Sequence, residues 1–180
     1  MKKIIVCGDF GEKLLTKTIV NACNNYGGAL VCEEGKIAET ASEAEFLVLS
    51  VNKLTQVSCK GIVVFGDAPF SMSSGLRLEG VTAIADTGSA DAMNILSRTG
   101  APVIGCSYSG RDTLTLSCRN GDHTIICLQR SLRTLSGKII EPCETDAFCP
   151  EDIPLYPVLA ACCVLMLNDI PTDAGYGLMS

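Results

Sequence analysis

The chain has 180 residues, 47% of them hydrophobic and 19% charged, which is the composition of a globular domain with a buried core. Its 14 basic and 20 acidic side chains give a net charge of -6, which excludes nucleic-acid binding through a general basic surface. The apolar run Ile4–Cys7 is too short for a signal peptide and Val158–Leu167 is too short to span a bilayer, so a cytoplasmic protein with no membrane partner is expected.

Apolar runs alternate with helix-like stretches. Lys3–Cys7 is β-branched and reads as a first strand. From Glu12 to Asn25 the apolar residues Leu14, Leu15, Ile19, Val20 and Cys23 fall on one face of a helix, which Gly27 and Gly28 end. Ala29–Cys32 reads as a strand and Ile37 to Ala44 as a short helix. Phe46–Val51 and Ile62–Phe65 are continuous apolar runs, expected of strands covered on both faces in a parallel sheet. Val81–Ala85, Ser89–Arg98 and Pro102–Cys106 repeat the strand, helix, strand order. This alternation predicts a doubly wound α/β domain.

After Gly110 the pattern changes. Thr113–Ser117 and Thr124–Leu128 flank Asn120-Gly121, a hairpin signal, and a further turn at Ser136-Gly137 precedes Lys138–Ile140. A small antiparallel layer is therefore expected. Glu144–Pro154 reads as a loop, Leu155 to Asp169 as a helix started near Pro157, and residues 172–180 as a loose tail. The organisation expected is one domain over residues 1–171, with no internal repeat or linker.

Eleven cysteines are scattered without a Cys-x-x-Cys pair, and the one histidine is His123. Zinc sites need paired ligands at short spacing, so most of these thiols are expected to act as small buried hydrophobes. Cys143 and Cys149, beside a loop-like stretch, are expected to be the most exposed.

Three regions together resemble the central, ATP-binding domain of the Mur ligases, which join an amino acid to a carboxylate through an acyl phosphate. The first is Cys7-Gly8-Asp9-Phe10-Gly11-Glu12-Lys13-Leu14, between a strand and a helix. There Gly8 and Gly11 fall on the glycines of the family's Gly-Thr-x-Gly-Lys-Thr/Ser phosphate loop. The second is Glu45–Val51, similar to the strand that carries a metal-binding glutamate. The third is Pro102–Ser107 with Asp112–Thr115, similar to the family's passage from a late strand into an antiparallel segment, and the helix Val158–Leu167 with Asp169-Ile170-Pro171 resembles the family's closing helix. The resemblance implies a mostly parallel P-loop-type sheet flanked by helices.

Against that pattern the residues that carry the chemistry differ. The lysine that would neutralise phosphate is Glu12, the Ser/Thr that would hold Mg²⁺ is Lys13, and the metal-binding glutamate is Ser50. Gly66-Asp67-Ala68-Pro69 lacks the family's histidine, and Asp86-Thr87-Gly88 keeps only Asp86 of an Asn-Asp-Asp-like stretch. Reversing a charge about 4 Å from a polyphosphate alters the interaction by roughly 1–4 kcal/mol. His123 has no recognisable acidic partner, and Ser107, Ser109 and Ser117 have no base, so no nucleophile is expected. Arg119, Arg130, Arg133 and Lys138 concentrate positive charge in the antiparallel layer and are a candidate anion patch. Asp67 and Asp86 follow strand ends, where α/β domains place ligands.

The expectation is a non-catalytic Mur-ligase-like domain that binds a protein partner or a small anion. No cofactor or metal is expected, ATP and Mg²⁺ being disfavoured. The candidate binding residues are Gly8, Asp9, Phe10, Gly11, Glu12 and Lys13, as a degenerate phosphate loop. One alternative is a weak ATP-binding protein or ATP-dependent enzyme using that loop; another is a cysteine-based redox or metal-responsive protein. Homodimerisation suits a domain whose faces lack their usual neighbours.

Overall fold

The computed structural model describes residues 1–66 and 75–179. The first strand, β1 (Lys2–Cys7), alternates its side chains between two cores: Ile4 and Val6 face one, Ile5 and Cys7 the other. That double burial explains why the strand reads as an unbroken apolar run. Helix α1 (Leu14–Asn25) buries Leu15, Ile19, Ala22 and Cys23 in the first of these cores. It ends where Gly27 and Gly28 take positive φ and the Gly28 N–H returns to the Cys23 carbonyl at 3.0 Å.

Strand β2 (Ala29–Glu33) turns through Glu34 and Gly35, both at positive φ, into β3 (Lys36–Glu39). The short helix expected from Ile37 is therefore an antiparallel edge strand, with Glu33 opposite Lys36. Two positive φ values in succession make the tight turn that sends the chain back along β2. The strands β4 (Phe46–Val51), β5 (Gln56–Phe65) and β6 (Arg77–Ala85), then helix α2 (Ala90–Leu96) capped by Ser89, and β7 (Val103–Gly105) complete the layer. The sheet order among the described residues is β3-β2-β4-β1-β5-β6-β7, parallel except for β3.

The antiparallel layer follows. Strands β8 (Leu114–Asn120) and β9 (His123–Leu128) pair through the two-residue turn Gly121-Asp122, one place beyond the expected Asn120-Gly121. A bulge between Leu116 and Cys118 accounts for the altered register. The strands β10 (Leu132–Arg133) and β11 (Ile139–Ile140) form a small ribbon, and β12 (Cys143–Phe148) pairs with β9 where a loop was expected. Helix α3 (Leu155–Leu167) is buried along all thirteen residues. Its side chains share one core with Ile4 and Val6 of the parallel sheet, with α1, and with Leu114, Ile126 and Leu128 of the antiparallel sheet. A helix apolar all round is what such enclosure requires.

The described end of the chain, up to Met179, is not a loose tail. Strand β13 (Tyr176–Gly177) pairs in parallel with β12, and Tyr176 and Leu178 are fully buried. The Asn25 side chain donates to the carbonyls of Gly177 (2.9 Å) and Met179 (3.0 Å), fixing this segment to the end of α1. Among the described residues no helix is long and apolar enough to cross a membrane.

Candidate functional site

The segment Gly8–Lys13 leaves the carboxyl end of β1, where open α/β sheets place ligands. Gly8 and Gly11 both take positive φ, at 79° and 71°, which glycine adopts without strain. Gly66 at the end of β5 lies against the turn: a Cβ there would sit 2.6 Å from the Gly8 carbonyl oxygen. The helix begins only at Leu14, and Lys13 precedes it in the left-handed region at φ 53°.

The start of α1 is closed by the chain's own carboxylate. Asp9 Oδ2 accepts the Thr16 N–H at 2.6 Å, in the place and with the charge that a helix N-terminus offers an anion. The Lys13 ammonium turns to the β2–β3 turn, where it pairs with Glu33 and, at 3.2 Å, with Glu34. Glu33 foremost, together with Glu34, holds Lys13 above the usual lysine range, and the bond from Lys13 holds the Glu34 carboxyl below the usual carboxylate range. Phe10 is exposed, and neither it nor Glu12 makes a hydrogen bond, ion pair or ring contact among the described residues. The Thr16 hydroxyl, buried on α1, stands 3.5 Å from that of Ser50 on β4, a pairing that sequence spacing did not suggest.

Beside the loop is a cavity of about 470 Å³. Leu14, Leu15, Pro154, Tyr156 and Pro157 supply apolar walls, and Asp9, Glu12 and Lys13 the charge. Tyr156, in the first turn of α3, donates its hydroxyl to the Phe65 carbonyl at 2.5 Å and lies 3.4 Å from that of Ile84. It thereby ties α3 to the carboxyl ends of β5 and β6.

The other sequence candidates are dispersed. Asp67 to Pro69 lie outside the described residues. Asp86 accepts the Gly88 N–H at 2.8 Å and forms a local turn. Ser107 donates to the carboxylate of Asp112, itself buried. Arg119 reaches the carbonyls of Ile153 (2.8 Å) and Pro150 (2.9 Å), Arg130 that of Arg111 (2.5 Å), and Lys138 approaches Asp169 at 4.0 Å, so the basic side chains hold separate loops. His123 does have an acidic partner: its Nε2 is 2.7 Å from Asp146 Oδ1 on the paired strand, and its ring stacks on Phe148.

All eleven cysteines are free thiols. Cys149, expected to be exposed, is buried, Cys143 is half-buried, and Cys118 is the exposed one. The reversal follows from β12: strand pairing carries Cys149 under Arg119, whose guanidinium is 3.6 Å from its sulfur. Burial pushes the Cys7 thiol up to about 11 and the Cys23 thiol up to about 12. Among the described residues no three His, Cys, Asp or Glu side chains group as a metal site.

No protein-family model and no curated protein matches the sequence. Solved structures do match the fold. A UDP-N-acetylmuramoyl-L-alanyl-D-glutamate–2,6-diaminopimelate ligase aligns with TM-score 0.60 and 10% identity over 97% of this chain and 45% of its own. MurF from Acinetobacter baumannii aligns with TM-score 0.58 and 9% identity over 96% and 44%. The MurF ligase from Thermotoga maritima, solved in complex with ADP, aligns with TM-score 0.54 and 12% identity over 96% and 46%. The chain thus has a Mur-ligase-like fold, and it spans less than half the length of the Mur ligases it matches.

Proposed function

We propose that this chain is a non-catalytic Mur-ligase-like domain that works by binding, and that its loop Gly8–Lys13 does not hold MgATP. The observation that carries this reading is the 2.6 Å bond from the Thr16 N–H to Asp9. An anion at the start of α1 would have to displace a carboxylate already placed there. It would also face Glu12, while the one lysine of the loop is engaged by Glu33 and Glu34. The donor set suits a magnesium polyphosphate poorly for the same reason: the ammonium is committed and the Thr16 and Ser50 hydroxyls lie against each other.

Cytoplasmic residence belongs to the same reading, in keeping with eleven unpaired thiols. ADP is bound by the Thermotoga maritima MurF ligase, so adenine nucleotide is the right challenge for this fold. Saturating MgATP is expected to leave the melting temperature unchanged. A rise of several degrees that requires Mg²⁺ would contradict the reading, since a ligand that binds only the native state must stabilise it.

A further inference from the structure

We propose that the cavity beside Gly8–Lys13 receives an arginine side chain presented by a protein partner, an inference that rests on the loop not holding nucleotide. The cavity, about 470 Å³, has the size of a ligand pocket and stands at the carboxyl ends of β1 and β5. Its walls, Leu14, Leu15, Pro154 and Pro157, suit the methylene stem of a long side chain rather than a polyphosphate.

The charge around it suits the head group. The one ammonium on its lining, that of Lys13, is already paired with Glu33 and Glu34, and Asp9 accepts the Thr16 N–H, which leaves the charge of Glu12 uncompensated there. The Glu12 carboxylate has no partner among the described residues and is exposed at the cavity. Phe10, 53% exposed, offers an uncovered ring on the same rim. A guanidinium is planar, weakly hydrated for a cation, and stacks on an aromatic face while its edge meets a carboxylate. An apolar stem, an aromatic face and an unpaired carboxylate together are complementary to arginine and opposed to an anion. The source is a partner protein, because the cavity is open beside the exposed Phe10 rim and a side chain can enter it while its backbone stays outside.

The test titrates the full chain with a blocked pentapeptide, Ala-Leu-Arg-Leu-Ala, and with its Ala-Leu-Glu-Leu-Ala counterpart, agmatine and MgATP in parallel. The arginine peptide is expected to bind with a Kd below about 1 mM, the glutamate peptide not at all. Phe10→Ala and Glu12→Lys, both at exposed positions, should each weaken the arginine peptide at least about fivefold without changing the fold. No binding by the arginine peptide, or binding that neither variant weakens, overturns the proposal. Agmatine binding as tightly as the peptide overturns the protein source in favour of a small organic cation. MgATP binding would contradict a loop that holds no nucleotide, whereas silence from both MgATP and the cations removes only the arginine site.

Discussion

The carboxylate of Asp9 stands 2.6 Å from the backbone nitrogen of Thr16, so the first turn of α1 is capped from within the loop that precedes it. Lys13, which occupies the usual capping position, contributes no side-chain cap. Asp9→Ala should therefore cost about 1 kcal/mol of stability, the range for removing an oxygen that accepts a helix-terminal N–H. That corresponds to a fall of about 2–4 °C in Tm for a chain of this size, read by thermal denaturation. Asp9→Asn, which keeps an acceptor oxygen, should recover part of the loss.

Tyr156→Phe removes the hydroxyl that donates to the Phe65 carbonyl. The ring still fills its place, so the loss is one of hydrogen bonding in a buried setting. A destabilisation of about 1–3 kcal/mol is expected in chemical denaturation, with an unchanged m value.

The pairing of Lys13 with Glu34 gives a pH dependence on the acid side. The folded-state pKa of Glu34 is depressed, so its contribution is present above the usual value of 4.5 and is lost as pH falls through the lowered pKa. Lys13→Met should lower Tm slightly at neutral pH and not at all at the acid end. The gap should also shrink in high salt, because Glu34 is exposed.

The buried thiols act at the opposite end of the scale. With Cys7 raised to about 11 and Cys23 to about 12, their contribution is complete below the ordinary thiol value of 9.0 and declines as pH climbs towards those values. Tm should fall steadily from about pH 9 upwards. In native-state alkylation Cys118 should react first, while Cys7, Cys23, Cys106, Cys149, Cys162 and Cys163 react only on unfolding. Rapid native labelling of any of those six would contradict the packing described here.

The parallel strands were legible in the sequence because β1, β4 and the end of β5 are buried on both faces and so read as apolar runs. Strand β12 was not: Cys-Glu-Thr-Asp-Ala-Phe turns Thr145 and Ala147 inward, a polar and a small residue that give no hydrophobic alternation. The final segment looked loose for a similar reason, since Tyr176 and Leu178 find their place only against β12 and the end of α1. At the loop, Gly8 and Gly11 announced a tight strand-to-helix turn. The partners of Lys13 did not show, because Glu33 and Glu34 lie twenty residues on and arrive through a turn whose geometry depends on strand pairing. Residue type could suggest that the loop had changed its charge, but only the fold shows where each charge goes.

Whether Asp9 and Lys13 keep MgATP out of the loop is decided by calorimetric titration of the nucleotide into the wild-type chain and into Asp9→Ala. The wild-type chain should give no binding heat at millimolar nucleotide, and Asp9→Ala at most weak phosphate-dependent binding. Micromolar, Mg²⁺-dependent binding by the wild-type chain would contradict this, and would mean that Asp9 and Lys13 leave their present partners to admit the nucleotide.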